Sequence, residues 1–204
     1  MCGTKIESKR VRARSLSPFT RLRDADDGFS TIDFAIVLVI FALITVFAIP
    51  QMTATMRSYR ALSDARSLAS QLALAKMRAA DGFTQSRLNC DLTGRSCQPE
   101  VCTNKGISTC NAFTSDGGSF RLSPDINFGF ANITDPAGSQ TSIQNTPQIQ
   151  FNSRGIPVDS TAAPTANYAL YLTNGAGDVY AVTLYASGRI AVWRYGGDGA
   201  WKIQ

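Results

Sequence analysis

The sequence predicts an α+β protein: a long N-terminal helix, apolar enough in its first half to span a membrane, packed on a mostly antiparallel β domain. Three observations predict it. Residues 29–49 are 21 positions with a single charge, Asp33. Apolar side chains then recur at spacings of three and four as far as Ala80. From Phe120 to the C-terminus, short β-type runs alternate with turn clusters.

Residues 1–28 read as a basic leader. They hold seven basic side chains (Lys5, Lys9, Arg10, Arg12, Arg14, Arg21, Arg23) against Glu7, Asp24, Asp26 and Asp27, a balance of +3, while residues 29–204 carry only +2. The formal charge of +5 is therefore concentrated ahead of the apolar segment, and a generally basic binding surface is not indicated.

Residues 29–50 are the anchor. As a helix, positions 29–49 span roughly 31 Å, about one hydrocarbon core. Basic residues precede the segment and only Arg57, Arg60 and Arg66 follow closely. The positive-inside bias thus predicts a single pass with a cytoplasmic N-terminus and everything after Pro50 outside the inner membrane, in the periplasm. An ordinary secretory signal has a shorter core and a small-x-small cleavage site, and neither is evident around Ile49-Pro50-Gln51.

Residues 51–82 continue the helix as an amphipathic second half. Met52, Met56, Tyr59, Leu62, Ala65, Leu68, Leu72, Ala75 and Ala79 form its stripe, expected to pack under a sheet, and Asp81-Gly82 stops it. Unbroken, such a helix is roughly 75 Å long. Pro50 lacks an amide hydrogen and crowds the carbonyl four residues back, which predicts a kink or local melting there.

Residues 83–204 form the β domain. Its first part, 83–119, reads as a cysteine-rich loop region with no sustained period. Runs at 119–122, 126–131, 148–152, 168–173, 179–185 and 189–195 read as strands, with Asp135-Pro136-Ala137-Gly138 and Ala163-Pro164-Thr165 as loops. Ala186-Ser187-Gly188 sets a hairpin with Val182, Leu184, Ile190 and Val192 meeting one core. Gly196-Gly197-Asp198-Gly199 reads as a turn before Trp201.

No histidine occurs anywhere in the 204 residues. That removes the usual general base, the Ser-His-Asp and Cys-His arrangements and the His-containing zinc motifs. No paired carboxylates or phosphate-cradling glycine motif stand out, so no enzyme activity, cofactor, metal or small-molecule substrate is expected. Cys2 falls in the leader. Cys90, Cys97, Cys102 and Cys110 form an even set whose spacing does not match metal knuckles, and two disulfides are expected, with the three connectivities open.

Gly28-Phe29-Ser30-Thr31-Ile32-Asp33, running into the apolar segment, resembles the class III signal of type IV pilins and type II secretion pseudopilins. The resemblance implies cleavage by a prepilin peptidase between Gly28 and Phe29, N-methylation of Phe29, and a role for Asp33 in assembly. There its carboxylate meets the α-amino group of a neighbouring subunit's first residue. An isolated carboxylate in hydrocarbon costs about 2.5–3.5 kcal/mol, which such a partner offsets. The chain departs from the family in carrying Asp33 where glutamate is usual, and in placing Asp24-Ala25-Asp26-Asp27 just before the cut.

The segment 67–78 (Ser-Leu-Ala-Ser-Gln-Leu-Ala-Leu-Ala-Lys-Met-Arg), Gln148 to Gly155, and Ser187-Gly188-Arg189-Ile190 are similar to motifs of the GspH/FimT group. That similarity implies a minor pseudopilin or minor pilin that helps initiate or cap a type II secretion pseudopilus or type IV pilus with other minor and major subunits, and later resides in it. Two alternatives are a FimT-like DNA-binding minor pilin and a major pilin. For the former, Arg189 and Arg194 are the candidate nucleic-acid residues. Placed five apart on a strand they face opposite ways, so nucleic acid is the less favoured partner.

Overall fold

The computed structural model describes residues 30–104 and 109–204. The chain divides into two units, residues 1–44 and residues 45–204, so Gly28, Phe29 and Cys2 lie outside the described residues.

One helix, α1 (Thr31–Asp81, 51 residues), enters both units. Within the first unit, its large apolar side chains from Ile32 to Ile44 are each between 51 and 68% exposed. A stretch this long and apolar meets the requirements for crossing a membrane.

In the second unit the helix is not interrupted at Pro50, where the sequence predicts a kink or local melting. Proline removes only the amide that would serve Val46. The turn that follows is tied by hydroxyls, with Thr53 Oγ1 donating to the Pro50 carbonyl and Thr55 Oγ1 to that of Gln51, both at 2.9 Å.

Farther along α1, Ala61, Ala65, Leu68, Leu72, Ala75 and Ala79 are all completely buried. Their spacing of four and three keeps them on one face. The stripe begins later than the sequence predicts: Met52, Met56 and Tyr59 are 63, 49 and 69% exposed.

Two antiparallel sheets receive this face. The first contains β1 (Ser86–Asp91), β2 (Ser96–Cys102), β3 (Phe113–Ser115), β4 (Phe120–Arg121), β6 (Gln148–Phe151) and β7 (Pro157–Val158). The second runs β11 (Trp201–Ile203), β10 (Ile190–Tyr195), β9 (Val179–Leu184), β8 (Tyr168–Thr173), β5 (Asn127–Phe128). Leu88, Ile149 and Phe151 from the first sheet and Leu170, Leu172, Val182 and Leu184 from the second join the helical stripe in one core.

The β9–β10 hairpin register pairs Leu184 with Ile190 and Val182 with Val192, so the four side chains meet the same core as predicted. On the opposite face of the second sheet, Ala169, Tyr171 and Ala181 pack with Ala137, Phe130 and Trp201 in a second cluster. The 129–147 segment covers that face, which is why β8 and β9 read as nearly continuous apolar runs rather than strict alternations.

The region 83–119 is not a loop. β1 and β2 form a hairpin across it, with Cys90 directly opposite Cys97. Cys90 is bonded to Cys97 and Cys102 to Cys110. The strands escape a hydropathy reading because Ser, Asn, Gln and Pro occupy much of them. Pro99 is accommodated because the outer edge of β2 is paired at 96–97 by β4 and at 100–102 by β3, leaving a gap at 99.

Asp64 is the charge inside the buried stripe, 7% exposed. It accepts from the Ser123 amide at 2.8 Å and the Ser123 hydroxyl at 3.1 Å, fixing the turn between β4 and β5. Burial raises its pKa above the ordinary 3.8, against the Ser123 hydrogen bonds, which lower it.

Two tests follow from this packing. Digestion without reductant at Lys and Arg and at Glu100 should yield two separate linked pairs, 88–95 with 96–100 and 101–105 with 106–121; any other pairing by mass spectrometry refutes the connectivity. For Asp64 the raised folded pKa means stability that is present below the unfolded value and lost as pH rises through the folded one. Relative to Asp64→Asn, the wild type should therefore lose stability as pH rises above 3.8 in denaturant titrations, and Asp64→Ala should cost about 1–3 kcal/mol through the stranded Ser123 donors.

Candidate functional site

The helix head is built by its cap. Ser30 precedes the first helical residue, its carbonyl accepting the Phe34 amide at 3.2 Å and its hydroxyl accepting the Ile32 amide at 3.3 Å. Asp33 falls three residues after the cap, in the first turn, where the positive end of the helix dipole favours a carboxylate. It is exposed, and it enters no ion pair among the described residues. Gly28 and Phe29, the other two members of the predicted site, lie outside the described residues.

The two glycine turns singled out in the sequence, although 33 positions apart, come together. Gly155, in the β6–β7 turn of the first sheet, and Gly188, in the β9–β10 turn of the second, have φ of 71° and 75°. A Cβ on Gly188 would run into the Gly155 carbonyl, and one on Gly155 would stand 2.9 Å from Cε of Lys76. Lys76, on α1, threads its stem past both turns and donates from Nζ to the Gly188 carbonyl at 3.0 Å. Helix and both sheets are thus clasped at one point. Lys76 stands inside the 67–78 segment, where the motif resemblance gives it no role; its position next to Ala75 of the buried stripe is the signal.

Arg189 lies in the turn before β10 rather than on the strand, so the two-face argument for Arg189 and Arg194 does not apply to it. Its guanidinium sits 5.6 Å from the Tyr185 ring centre. Arg194 is bound to Asp178 at 3.2 Å. Asp178 also accepts from Asn174 Nδ2 at 2.9 Å and from the Ser58 hydroxyl of α1, so it ties the helix to the second sheet. Burial raises its pKa, but the donors Ser58, Arg194 and Asn174 outweigh this and hold it below the ordinary value.

Cys90, Cys97, Cys102 and Cys110 are all engaged as disulfides. No cluster of three or more metal-ligating side chains occurs among the described residues.

No family model and no curated protein matches the sequence. Solved structures do resemble the chain. One is the minor pseudopilin EpsH from the Type 2 Secretion System of Vibrio cholerae, 11% identical over 71% of this chain and 96% of that one, with a TM-score of 0.35. Another is the type IV minor pilin FimU of Pseudomonas aeruginosa, 10% identical over 72% of this chain and 90% of that one, with a TM-score of 0.32.

The clasp is testable by comparing two left-handed glycines. Gly175 (φ 68°) has nothing near an added Cβ, so Gly175→Ala should cost only the backbone term, about 1–2 kcal/mol. Gly188→Ala adds the collision with Gly155 and should be clearly the more destabilising of the two in denaturant unfolding. Equal costs would show that the turns do not depend on their close approach.

Proposed function

We propose that this chain is a structural subunit of a type IV pilus or type II secretion pseudopilus, of the minor kind, which helps initiate or cap the filament after its leader is removed. The observation that carries this reading is Asp33: a carboxylate in the first turn of α1, at the head of an exposed apolar stretch that is otherwise uncharged as far as Ile49, five positions after Gly28. A lone charge so placed is costly in hydrocarbon and calls for a partner outside this chain.

Prepilin peptidase, in this reading, cuts between Gly28 and Phe29, and the new α-amino group of Phe29, N-methylated, is the partner for Asp33 of an adjacent subunit. Cleavage thereby creates the cation that assembly needs. The basic leader keeps the N-terminus in the cytoplasm, and the β domain stands in the periplasm with its disulfides formed. The architecture supports the reading physically: an exposed apolar helix segment can lie in lipid or against like helices, while the domain built on residues 61–204 has its own core.

The roles separate by substitution. Asp33→Ala should leave leader removal and membrane insertion intact and abolish incorporation into sheared filaments, measured by immunoblot of cell and filament fractions. A bulky replacement at Gly28 should instead block the mass loss corresponding to residues 1–28. Normal incorporation of Asp33→Ala would overturn the pairing role.

A further inference from the structure

Between the apolar segment and the buried stripe, α1 runs as a bare stalk. From Val46 to Arg60 every residue but Ser58 is exposed, and the first buried residue of the helix is Ala61. The stalk holds two charges, Arg57 and Arg60, and no acid stands on the helix between Asp33 and Asp64. Arg60 is paired with Asp125 at 2.7 Å. Arg57 enters no ion pair among the described residues. Its helical neighbours three and four positions away are Thr53, Ala54, Arg60 and Ala61, so α1 offers it no carboxylate and sets a second cation one turn on.

The place of Arg57 on the helix indicates where a counter-charge comes from. With Ile49 at the edge of the hydrocarbon, Arg57 stands roughly 12 Å farther along the helix axis. The headgroup layer fills roughly 5–8 Å of that rise. Helical side chains lean toward the N-terminus, which on this helix is toward the lipid. That direction carries the arginine stem over Thr53 and Ala54, both short, and brings the guanidinium down to the phosphates, as long basic side chains near the ends of spanning helices do. Met52, 63% exposed, falls within the same layer, roughly 4–5 Å beyond Ile49.

We propose that Arg57 binds the phosphate of an anionic phospholipid in the leaflet on the β-domain side of the membrane. The planar guanidinium matches two phosphate oxygens at once, and the lipid supplies the anion that the stalk lacks. The inference rests on the reading of residues 29–49 as a membrane anchor, to which it adds a lipid partner and a residue that recognises it. A single contact of this kind is weak and screened by salt, so it orients the subunit in the bilayer without preventing later withdrawal into a filament.

The test titrates the full chain in detergent with dimyristoyl phosphatidylglycerol or dimyristoyl phosphatidylcholine and counts bound lipid by mass spectrometry of the intact complex. The wild type should hold phosphatidylglycerol roughly fivefold more tightly than phosphatidylcholine, the effect of one cation at an anionic surface. Arg57→Gln should erase that preference, whereas Arg154→Gln, which removes an exposed cation from the β6–β7 turn, should leave it unchanged. No preference in the wild type, or one that survives Arg57→Gln, overturns the proposal. So does equally tight binding of glycerophosphoglycerol, the same headgroup without chains, which would make this a site for a soluble phosphate. Retention of the chain in phosphatidylglycerol vesicles through an alkaline carbonate wash reports the anchor separately. A retained chain without the Arg57 effect sinks the lipid contact alone, and a chain washed off sinks both.

Discussion

The second unit depends on one contact: a narrow stripe of alanines and leucines on α1 buried against two sheets at once. Ala61, Ala65, Ala75 and Ala79, all fully buried, present almost no side-chain thickness at the two ends of the stripe. Leu68 and Leu72 supply volume in its middle, where residues from both sheets converge. Among the described residues, the core that both sheets share is the one built on this stripe. Truncating Leu68 or Leu72 would open a void felt by both sheets, of the kind that costs about 2–5 kcal/mol.

Polar ties sharpen this arrangement without replacing it. Asp64 holds the β4–β5 turn, Lys76 the two glycine turns, and Asp178 the join between Ser58 and β10. Their electrostatics oppose one another. Asp64 is more comfortable protonated, whereas Asp178 contributes stability above the ordinary carboxylate pKa and loses it as pH falls through its depressed folded value. Acid therefore loosens the helix from the second sheet while relieving the turn below it.

The helix, the β8–β10 strands and the hairpin register were legible because each follows from periodicity: 3.6 along the stripe, and paired apolar runs in the strands. The β1–β2 hairpin was not, because the buried positions of β1 are Ser86, Leu88 and the disulfide-bonded Cys90, and a single strongly apolar residue does not express an alternation. Short β7 and β11 were missed for a related reason: two or three residues cannot express a period. The head of the helix was legible as a motif, since cap, acid and apolar run are all local. The Lys76 clasp was only half visible. Its two turns could be picked out singly, but their meeting depends on how two sheets share one helix, which no local pattern encodes.

The cysteine connectivity has a kinetic consequence. Each bridge joins consecutive cysteines, 7 and 8 positions apart, and the two rings do not overlap in sequence. For short loops, the closest thiol in sequence is also the one met soonest in a fluctuating chain. Here that is the Cys97–Cys102 pair, 5 positions apart, so first collision does not select the native bridges. The hairpin register does, by setting Cys90 directly opposite Cys97. Oxidation in this protein therefore has to follow the β1–β2 hairpin or be corrected by thiol exchange, and the hairpin so locked is a ready edge on which β6 can dock.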